Sequence, residues 1–168
     1  MSGSGAPTIG KLDAEGLRVA IVASSWHDTV MDGLIAGATS ACTRAGAVSS
    51  LFRVPGTFEL PLAAQTAARA GFDAVVALGV VIRGGTPHFE YVCDAATTGL
   101  SRVALDTGVP VGFGVLTCDD EAQAVDRAGL PGSSEDKGTE AAEAALAMAL
   151  ALPSIRRPGA AQPTGFGS

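Results

Sequence analysis

Residues 74–82 read Ala-Val-Val-Ala-Leu-Gly-Val-Val-Ile, and Arg83-Gly-Gly-Thr-Pro-His88 follows directly. A continuous apolar run of this length that is rich in β-branched residues is typical of a strand covered on both faces. The run is much too short to cross a bilayer, which takes roughly 20 apolar residues in a helix. It therefore predicts a buried strand of an α/β protein, with a glycine turn at its carboxyl end as the candidate reactive centre.

The same apolar pattern recurs along the chain, and segments with helical spacing of apolar residues lie between the runs. The predicted strands are 19–23, 51–54, 74–82 and 111–116, and the predicted helices are 30–45, 62–70, 89–106, 121–127 and 138–152. Strands that alternate with helices imply right-handed βαβ crossovers and a parallel sheet. We therefore predict one α/β domain built on a four-stranded parallel sheet.

Two of the helices carry local expectations that the structure can test. Before the first helix, Ser24, Ser25 and Asp28 supply the residue types that cap helix N-termini. In the last helix, the spacing of apolar residues places Met148 and Leu152 on the inner face.

The composition argues for a folded protein that associates with other subunits. Of 168 residues, 47% are hydrophobic and only 17% are charged, whereas a disordered chain combines low hydrophobicity with high charge. The mean hydropathy of +0.33 is high for a monomer, so part of the surface is expected to meet another subunit. The net charge is −6 and no run of Lys or Arg occurs, which disfavours a nucleic-acid partner.

The cysteines and the chain termini give expectations about compartment and domain limits. Cys42, Cys93 and Cys118 are odd in number and far apart, so neither a disulfide framework nor a zinc site is predicted. The first ten residues lack the layout of a signal peptide, and we expect a cytoplasmic protein with no membrane segment. Residues 1–10 are predicted to form a flexible arm, 11–152 the domain, and 153–168 a disordered tail.

Polar and aromatic residues gather in the segments that follow the four predicted strands. Ligands of open parallel sheets bind outside the carboxyl ends of the strands. The four segments that this rule nominates are 24–27, 54–59, 83–88 and 117–120.

The turn Gly84-Gly85-Thr86 is the first candidate for chemistry. Two glycines let backbone N–H groups approach an anion, and the N-terminus of the following helix adds a favourable dipole. A plain turn is the alternative, and no nucleotide-binding glycine motif is present. His88 lies one step beyond, and an imidazole, which titrates near neutrality, suits general acid–base work. A structural or merely exposed histidine is the competing interpretation.

Other residues near the strand ends have two interpretations each. Trp26 could stack on a flat heterocycle or simply pack, and Glu59 could bind a polyol or cap a helix. We interpret Cys118 as a small packed residue rather than a nucleophile. By default, Arg127 and Lys137 are solvated surface charges. No metal site is predicted, because His88 and Glu90 are two residues apart and therefore do not share a face of a helix.

These segments together resemble the lumazine synthase family over residues 17–152. The stretches that carry the resemblance are Ala23-Ser-Ser-Trp26, Val54-Pro-Gly-Thr-Phe-Glu-Leu-Pro61, Ala77-Leu-Gly-Val-Val-Ile-Arg-Gly-Gly-Thr-Pro-His-Phe-Glu-Tyr-Val92, Phe113-Gly-Val-Leu-Thr117, residues 123–129, and Lys137-Gly138. The resemblance implies a three-layer αβα sandwich with flavodoxin-like strand order.

The resemblance also implies a reaction that needs neither a cofactor nor a metal. Such an enzyme condenses 5-amino-6-(D-ribitylamino)uracil with 3,4-dihydroxy-2-butanone 4-phosphate. The products are 6,7-dimethyl-8-ribityllumazine, phosphate and water, and the step is the penultimate one of riboflavin biosynthesis. The implied assembly is a homo-oligomer, a pentamer with its active sites at subunit interfaces.

Carried over residue by residue, the resemblance assigns proton transfer to His88 and substrate binding to eleven other residues. The pyrimidine stacks on Trp26, and a neighbouring subunit supplies three of the positions. The implied roles are the ribityl-binding turn (Thr57, Phe58, Glu59), the ring pocket (Val81, Ile82), the phosphate site (Gly85, Thr86), and the neighbour's contribution (Phe113, Arg127, Lys137).

Some features depart from the family pattern, and some alternatives stay open. His27-Asp28 stands where an Asn-containing sequence is more usual, and Thr57 where Ala or Ser is commoner. The loop between Gly129 and Lys137 is two residues longer than in shell-forming members, which favours a free pentamer. An archaeal-type riboflavin synthase, a flavin- or lumazine-binding protein without catalysis, and a purely shell-forming protein are the alternatives. The role of Arg83 stays unassigned.

Overall fold

The computed structural model describes residues 9–157 of the chain. These residues form four strands and five α-helices, with a short 3₁₀ turn, Thr57–Glu59, before the second helix. In chain order the elements are β1 (Arg18–Ser24), α1 (Asp28–Arg44), β2 (Val48–Val54), α2 (Leu60–Arg69), β3 (Ala74–Ile82), α3 (His88–Thr107), β4 (Val111–Cys118), α4 (Glu121–Val125) and α5 (Lys137–Arg156). The predicted bounds of β3 are confirmed, and each of the other three strands is two or three residues longer in the structure than predicted.

The four strands form one parallel sheet in the order β2-β1-β3-β4. Ile21 of β1 lies opposite Leu51 of β2 and Val76 of β3, and Leu78 lies opposite Gly114 of β4. Helices cover both faces of the sheet. The predicted four-stranded αβα sandwich with flavodoxin-like order is therefore confirmed, and β2 and β4 are its edge strands.

The side chains of β3 explain why its sequence is continuously apolar. Val76, Leu78 and Val80 pack into the core that α1 and α5 cover, whereas Val75 and Ala77 pack into the core beneath α2 and α3. Burying a side chain of this size stabilises a fold by roughly 1.5–3 kcal/mol. A polar residue at any of these positions would lie in one core or the other.

Helices α1 and α5 approach so closely that a glycine is required between them. A Cβ on Gly138, in the first turn of α5, would overlap the carbonyl oxygen of Leu34 in α1. The buried stripe of α5 continues through small residues, namely Ala141, Ala142 and Ala145, followed by Leu146. Close packing of the two backbones therefore sets which face of α5 points inward.

This register makes the prediction for Met148 wrong, since its side chain is 43% exposed. Leu152 is half-buried. The predicted start of the tail at residue 153 is also wrong, because α5 continues through Pro153 to Arg156. Ala149 and Leu150 still pack against the core, and an Arg156 N–H donates to the Gly108 carbonyl at 3.4 Å. The remainder of the predicted tail, from 158 onward, and residues 1–8 of the predicted arm lie outside the described residues.

The predicted capping of α1 by serine and aspartate side chains is wrong as well. The N-cap residue is His27, whose φ of 59° and ψ of 63° are left-handed, and no side chain caps the helix. Ser25 Oγ instead donates to the Val54 carbonyl at 2.8 Å, and Ser24 Oγ lies 3.6 Å from Met31 Sδ. The two serines therefore tie the end of β1 to its neighbours, and the chain turns sharply between them and α1.

No helix among residues 9–157 is both long and apolar enough to cross a membrane.

Candidate active site

The carboxyl ends of β1 and β2 bring Trp26 and Glu59 together beside Gly56. A Cβ on Gly56 would lie 3.1 Å from the Glu59 carboxylate and 3.7 Å from Trp26 Nε1. The Trp26 ring is 67% exposed, and Phe58 is exposed nearby in the chain. An indole that is not packed in the core leaves a flat apolar surface free, and a carboxylate next to it offers hydrogen-bond acceptors.

Thr57 lies between these residues but points into the fold. Its side chain is only 6% exposed, and its hydroxyl donates to the Val80 carbonyl at 3.3 Å. A Cβ on Gly79 would lie 2.7 Å from Thr57 Oγ1, so the threonine fills the space that this glycine leaves. The Thr57 hydroxyl thus bonds the turn after β2 to β3. A polyol bound at this turn would contact the main chain of residue 57 rather than its hydroxyl.

The end of β3 and the start of α3 enclose an open turn. Val81 and Ile82 are half-buried, whereas residues 83–88 are exposed. A Cβ on either Gly84 or Gly85 would have no neighbour within 4 Å. His88 begins α3, and no side chain caps this helix. Backbone N–H groups at an uncapped N-terminus lack helical partners and can bind an anion.

A second group of predicted residues lies along the edge strand β4. Phe113, Arg127 and Lys137 line one cleft of about 320 Å³. Within residues 9–157, the cleft lining includes none of the residues at the ends of β1, β2 and β3. The cleft reaches Thr117 and Cys118, which lie opposite Val81 and Ile82, so it borders the end of β3 without including the strand-end site residues.

Glu135, which no sequence motif indicated, forms ion pairs with both cations of the β4 cleft. Its carboxylate lies 3.6 Å from Arg127 Nε and 3.3 Å from Lys137 Nζ. Lys137 also pairs with Glu140, at 2.8 Å. No spacing rule could reveal Glu135, because it contacts Arg127 through the fold of a loop rather than along a helix.

Lys137 is not the solvated surface charge that was the default interpretation, since its side chain is only 15% exposed. Burial works against its charge, but the hydrogen bonds to Glu140 and Glu135 outweigh burial and raise the pKa of the Lys137 ammonium. Arg127 is more exposed and is held from a second side, because its Nη1 donates to the Gln123 carbonyl at 2.8 Å. Both cations are therefore positioned by the protein around them.

The loop that connects the two cations is closed at its base. The Lys137 N–H donates to the Arg127 carbonyl at 3.0 Å, and Ala128 and Asp136 form an antiparallel bridge. Ser134 Oγ donates to the Asp126 carboxylate at 2.6 Å, which holds the pKa of that carboxyl below its usual range. The loop is thus folded back on α4 by its own hydrogen bonds.

The remaining candidates for chemistry in residues 9–157 are the Cys118 thiol and a bound metal ion. Cys118 is buried, as predicted, and burial raises the pKa of its thiol. In residues 9–157, no cluster of three or more His, Cys, Asp or Glu side chains could hold a metal ion.

Fold and site together define a flavodoxin-like α/β protein with Trp26, Glu59 and an open glycine turn at the carboxyl ends of its strands. The family model described as 6,7-dimethyl-8-ribityllumazine synthase matches residues 16–152. The chain belongs to this family, and it is a transferase of riboflavin biosynthesis.

Relatives with the same name cover almost the whole chain. The 6,7-dimethyl-8-ribityllumazine synthase of Leifsonia xyli is 66% identical over 157 residues, which are 93% of this chain and 99% of the relative. That of Kineococcus radiotolerans is 65% identical over 90% of this chain and 94% of its own. That of Streptomyces coelicolor is 60% identical over 94% of this chain and 99% of its own.

Proposed function

We propose that this chain condenses 5-amino-6-(D-ribitylamino)uracil with 3,4-dihydroxy-2-butanone 4-phosphate, in the penultimate step of riboflavin biosynthesis. The products are 6,7-dimethyl-8-ribityllumazine, inorganic phosphate and water. The observation that carries the proposal is the open Gly84–Thr86 turn and His88, which lie at the end of β3 directly after the half-buried Val81 and Ile82.

The uracil substrate is assigned to the corner between β1, β2 and β3. Its ring stacks on the exposed Trp26 and lies against Val81 and Ile82. The ribityl chain lies along the Thr57–Glu59 turn, where Glu59 accepts hydrogen bonds from its hydroxyl groups. Since the Thr57 hydroxyl is already bonded to Val80, we assign the main chain to this contact at residue 57.

The butanone phosphate is assigned to the turn after β3. Gly85 and Thr86 bind the phosphate through backbone N–H groups and the threonine hydroxyl, and Arg127 adds a positive charge. Phe113 and Lys137 complete the site from the same cleft as Arg127. The lining of this cleft includes none of the strand-end site residues, and, as the family resemblance implies, we assign Phe113, Arg127 and Lys137 to a neighbouring subunit.

The chemistry follows from bringing the two substrates together. The amine of the uracil substrate attacks the ketone and forms an imine between the substrates, so no enzyme lysine or redox cofactor is required. Loss of phosphate, ring closure and dehydration then need proton transfers, which we assign to His88. Alignment of two reactants can contribute several kcal/mol to rate, and one histidine typically contributes about 10²–10⁴-fold.

A homopentamer is the proposed assembly. The strand β4 is an open edge that carries Phe113, and Leu62, Tyr91 and Leu105 are large apolar side chains left exposed on one protomer. The loop 130–136 is two residues longer than in shell-forming relatives, which favours a free ring. Sedimentation is expected to give a particle of five 16.7-kDa chains, and a particle of megadalton size would refute the free pentamer.

One absorbance experiment tests the reaction. The purified protein is mixed with both substrates, and the lumazine chromophore is followed against the rate without protein. Protein-dependent formation of 6,7-dimethyl-8-ribityllumazine supports the proposal. Binding of added lumazine without any formation would instead indicate a binding protein, and conversion of lumazine to riboflavin would indicate a riboflavin synthase.

A further inference from the structure

The guanidinium of Arg83 is held by three residues from two different elements. Its Nε donates to the Asp119 carboxylate at 2.8 Å, and its Nη1 donates to the Glu90 carboxylate. Its central carbon lies 4.2 Å from the centroid of the Phe89 ring. The planar, forked guanidinium is suited to bonding two carboxylates while stacking on a ring. Arg83 therefore connects the first turn of α3 with the loop that follows β4.

These contacts, which we name the Arg83 clamp, close the turn that contains the proposed catalytic histidine. Residues 84–88 are exposed, and the glycines there have no neighbouring atoms that would hold them by packing. The Arg83 N–H donates to the Cys118 carbonyl at 2.9 Å and so fixes the start of the turn to β4. The bond from Arg83 to Glu90 then fixes its end. Tying both ends removes much of the conformational freedom of such a loop.

The charges around Arg83 argue against direct binding of phosphate by this residue. Asp119 and Glu90 already face the guanidinium. Hydrogen bonds to these carboxylates raise the pKa of Arg83, and the bond to Asp119 has the larger effect. The same bond from Arg83 lowers the pKa of Glu90. A phosphate placed on the Arg83 guanidinium would therefore meet two carboxylates.

We infer that Arg83 is a positioning residue, which holds Gly85, Thr86 and His88 in the geometry of the reaction without contacting a substrate. The roles of those three residues rest on the proposed function. The clamp spans only the turn after β3. The assigned uracil contacts lie outside it, at Trp26 and Glu59 and at Val81 and Ile82, which are held in the sheet by pairing with β4. Loss of the clamp should therefore affect one substrate and not the other.

The kinetic test is the Arg83→Gln variant. We expect kcat to fall and KM for the butanone phosphate to rise, each by about tenfold, while KM for the uracil substrate changes by less than about twofold. Arg83→Lys should lie between, because an ammonium keeps the positive charge but lacks the planar fork that bonds Asp119 and Glu90 while it stacks on Phe89. A fall in kcat with both KM values unchanged would indicate fewer folded molecules only, and would overturn the inference.

The matched control is Arg102→Gln. Arg102 is an exposed residue of α3 that pairs with Asp106 at 3.5 Å, so the variant also removes one exposed ion pair on the same helix. Its kcat and both KM values should equal those of the wild type.

The carboxylate partners separate positioning from direct phosphate binding. Asp119→Asn and Glu90→Gln each weaken the clamp, and each should raise KM for the butanone phosphate. If Arg83 itself bound the phosphate, removal of a competing carboxylate would lower that KM, and this result would overturn the inference.

Hydrogen exchange gives a readout that does not depend on catalysis. Amides of residues 84–90 should exchange about tenfold faster in Arg83→Gln than in the wild type, while peptides from β3 and α5 keep their rates. If the wild type forms no lumazine, the proposed function fails, and the exchange measurement still tests the clamp. Unchanged exchange over residues 84–90 would overturn it.

Discussion

His88 is the first residue of α3 and stands exposed beside an open glycine turn. Because alignment of the two substrates is proposed as the main contribution to rate, His88→Ala should slow turnover by about a hundredfold and leave measurable activity. The rate of lumazine formation checks this, with the exposed α3 variant Ser101→Ala as control. A folded His88→Ala protein with no activity at all would contradict the dominance of alignment.

His27 carries a different residue-scale prediction, which concerns stability. It is the one non-glycine residue with positive φ among residues 9–157. Asn tolerates this left-handed conformation, whereas a β-branched side chain is strained there. His27→Asn should therefore match the wild type within about 1 kcal/mol in the free energy of unfolding, and His27→Val should lose about 1–2 kcal/mol.

Urea denaturation measures both variants, and Thr29→Val, an exposed change in the first turn of α1, is the control for a valine at this helix start. Equal stability of the Asn and Val variants at residue 27 would show that the backbone conformation imposes no requirement. A left-handed requirement at residue 27 would also explain why histidine can stand where the family pattern has an Asn-containing sequence, since both residues enter that region.

At the scale of elements, the sequence predicts strands better than helix faces. The apolar run 74–82 in the sequence has the same limits as the strand β3, because every side chain in it packs into one of the two cores. In α5, alanines occupy seven of the twenty positions and lie on all sides of the helix, so they give no clear apolar stripe and the inner face depends on contact with α1. Leu34 and Gly138 decide that contact, and no pattern within α5 could predict it.

The contact between α1 and α5 predicts the effect of Gly138→Ala. In an isolated helix this change would add stability of about 1 kcal/mol, because Ala is the better helix former. Here the new Cβ overlaps the Leu34 carbonyl oxygen, so we expect a net loss of about 3 kcal/mol. Thermal and urea unfolding measure the change.

Ala144, on the exposed side of α5, supplies the control. Ala144→Gly should lose only the propensity difference of about 1 kcal/mol. If Gly138→Ala were more stable than the wild type, the close approach of the two helices would be disproved.

At the scale of the whole molecule, the predicted site residues Phe113, Arg127 and Lys137 line a cleft along β4 that includes no residue of the segments 24–27, 54–59 or 83–88. The sequence motifs could name Trp26, Glu59 and His88, and separately Phe113, Arg127 and Lys137. A sequence motif does not show whether two groups of site residues come from the same copy of the chain. The resemblance supplied that expectation, and the separate β4 cleft is consistent with it.

Mixed oligomers test whether the site is shared. Chains with His88→Ala and chains with Arg127→Gln, unfolded together and refolded at equal amounts, should recover activity at about a quarter of the sites, where both intact residues meet. The mixture should therefore exceed the mean of the two single variants in lumazine formation.

The control mixture combines His88→Ala with Thr86→Ala. These residues lie in the same turn of one chain, so no site can be intact and no recovery is expected. Absence of recovery in the test mixture would place all site residues within a single chain, and recovery in the control would show that the turn itself is shared between chains.

The loop between Arg127 and Lys137 has a consequence for how the chain could be altered. Its base is fixed by the Ala128–Asp136 bridge and by the bond from the Lys137 N–H to the Arg127 carbonyl. At its tip, Gly132 is exposed, and an added Cβ there would have no neighbour within 4 Å. The separation of the two cations is therefore independent of the length of the segment beyond the base. An epitope grafted beside Gly132 would therefore leave Arg127 and Lys137 in place, and the proposed pentamer would carry five copies of it.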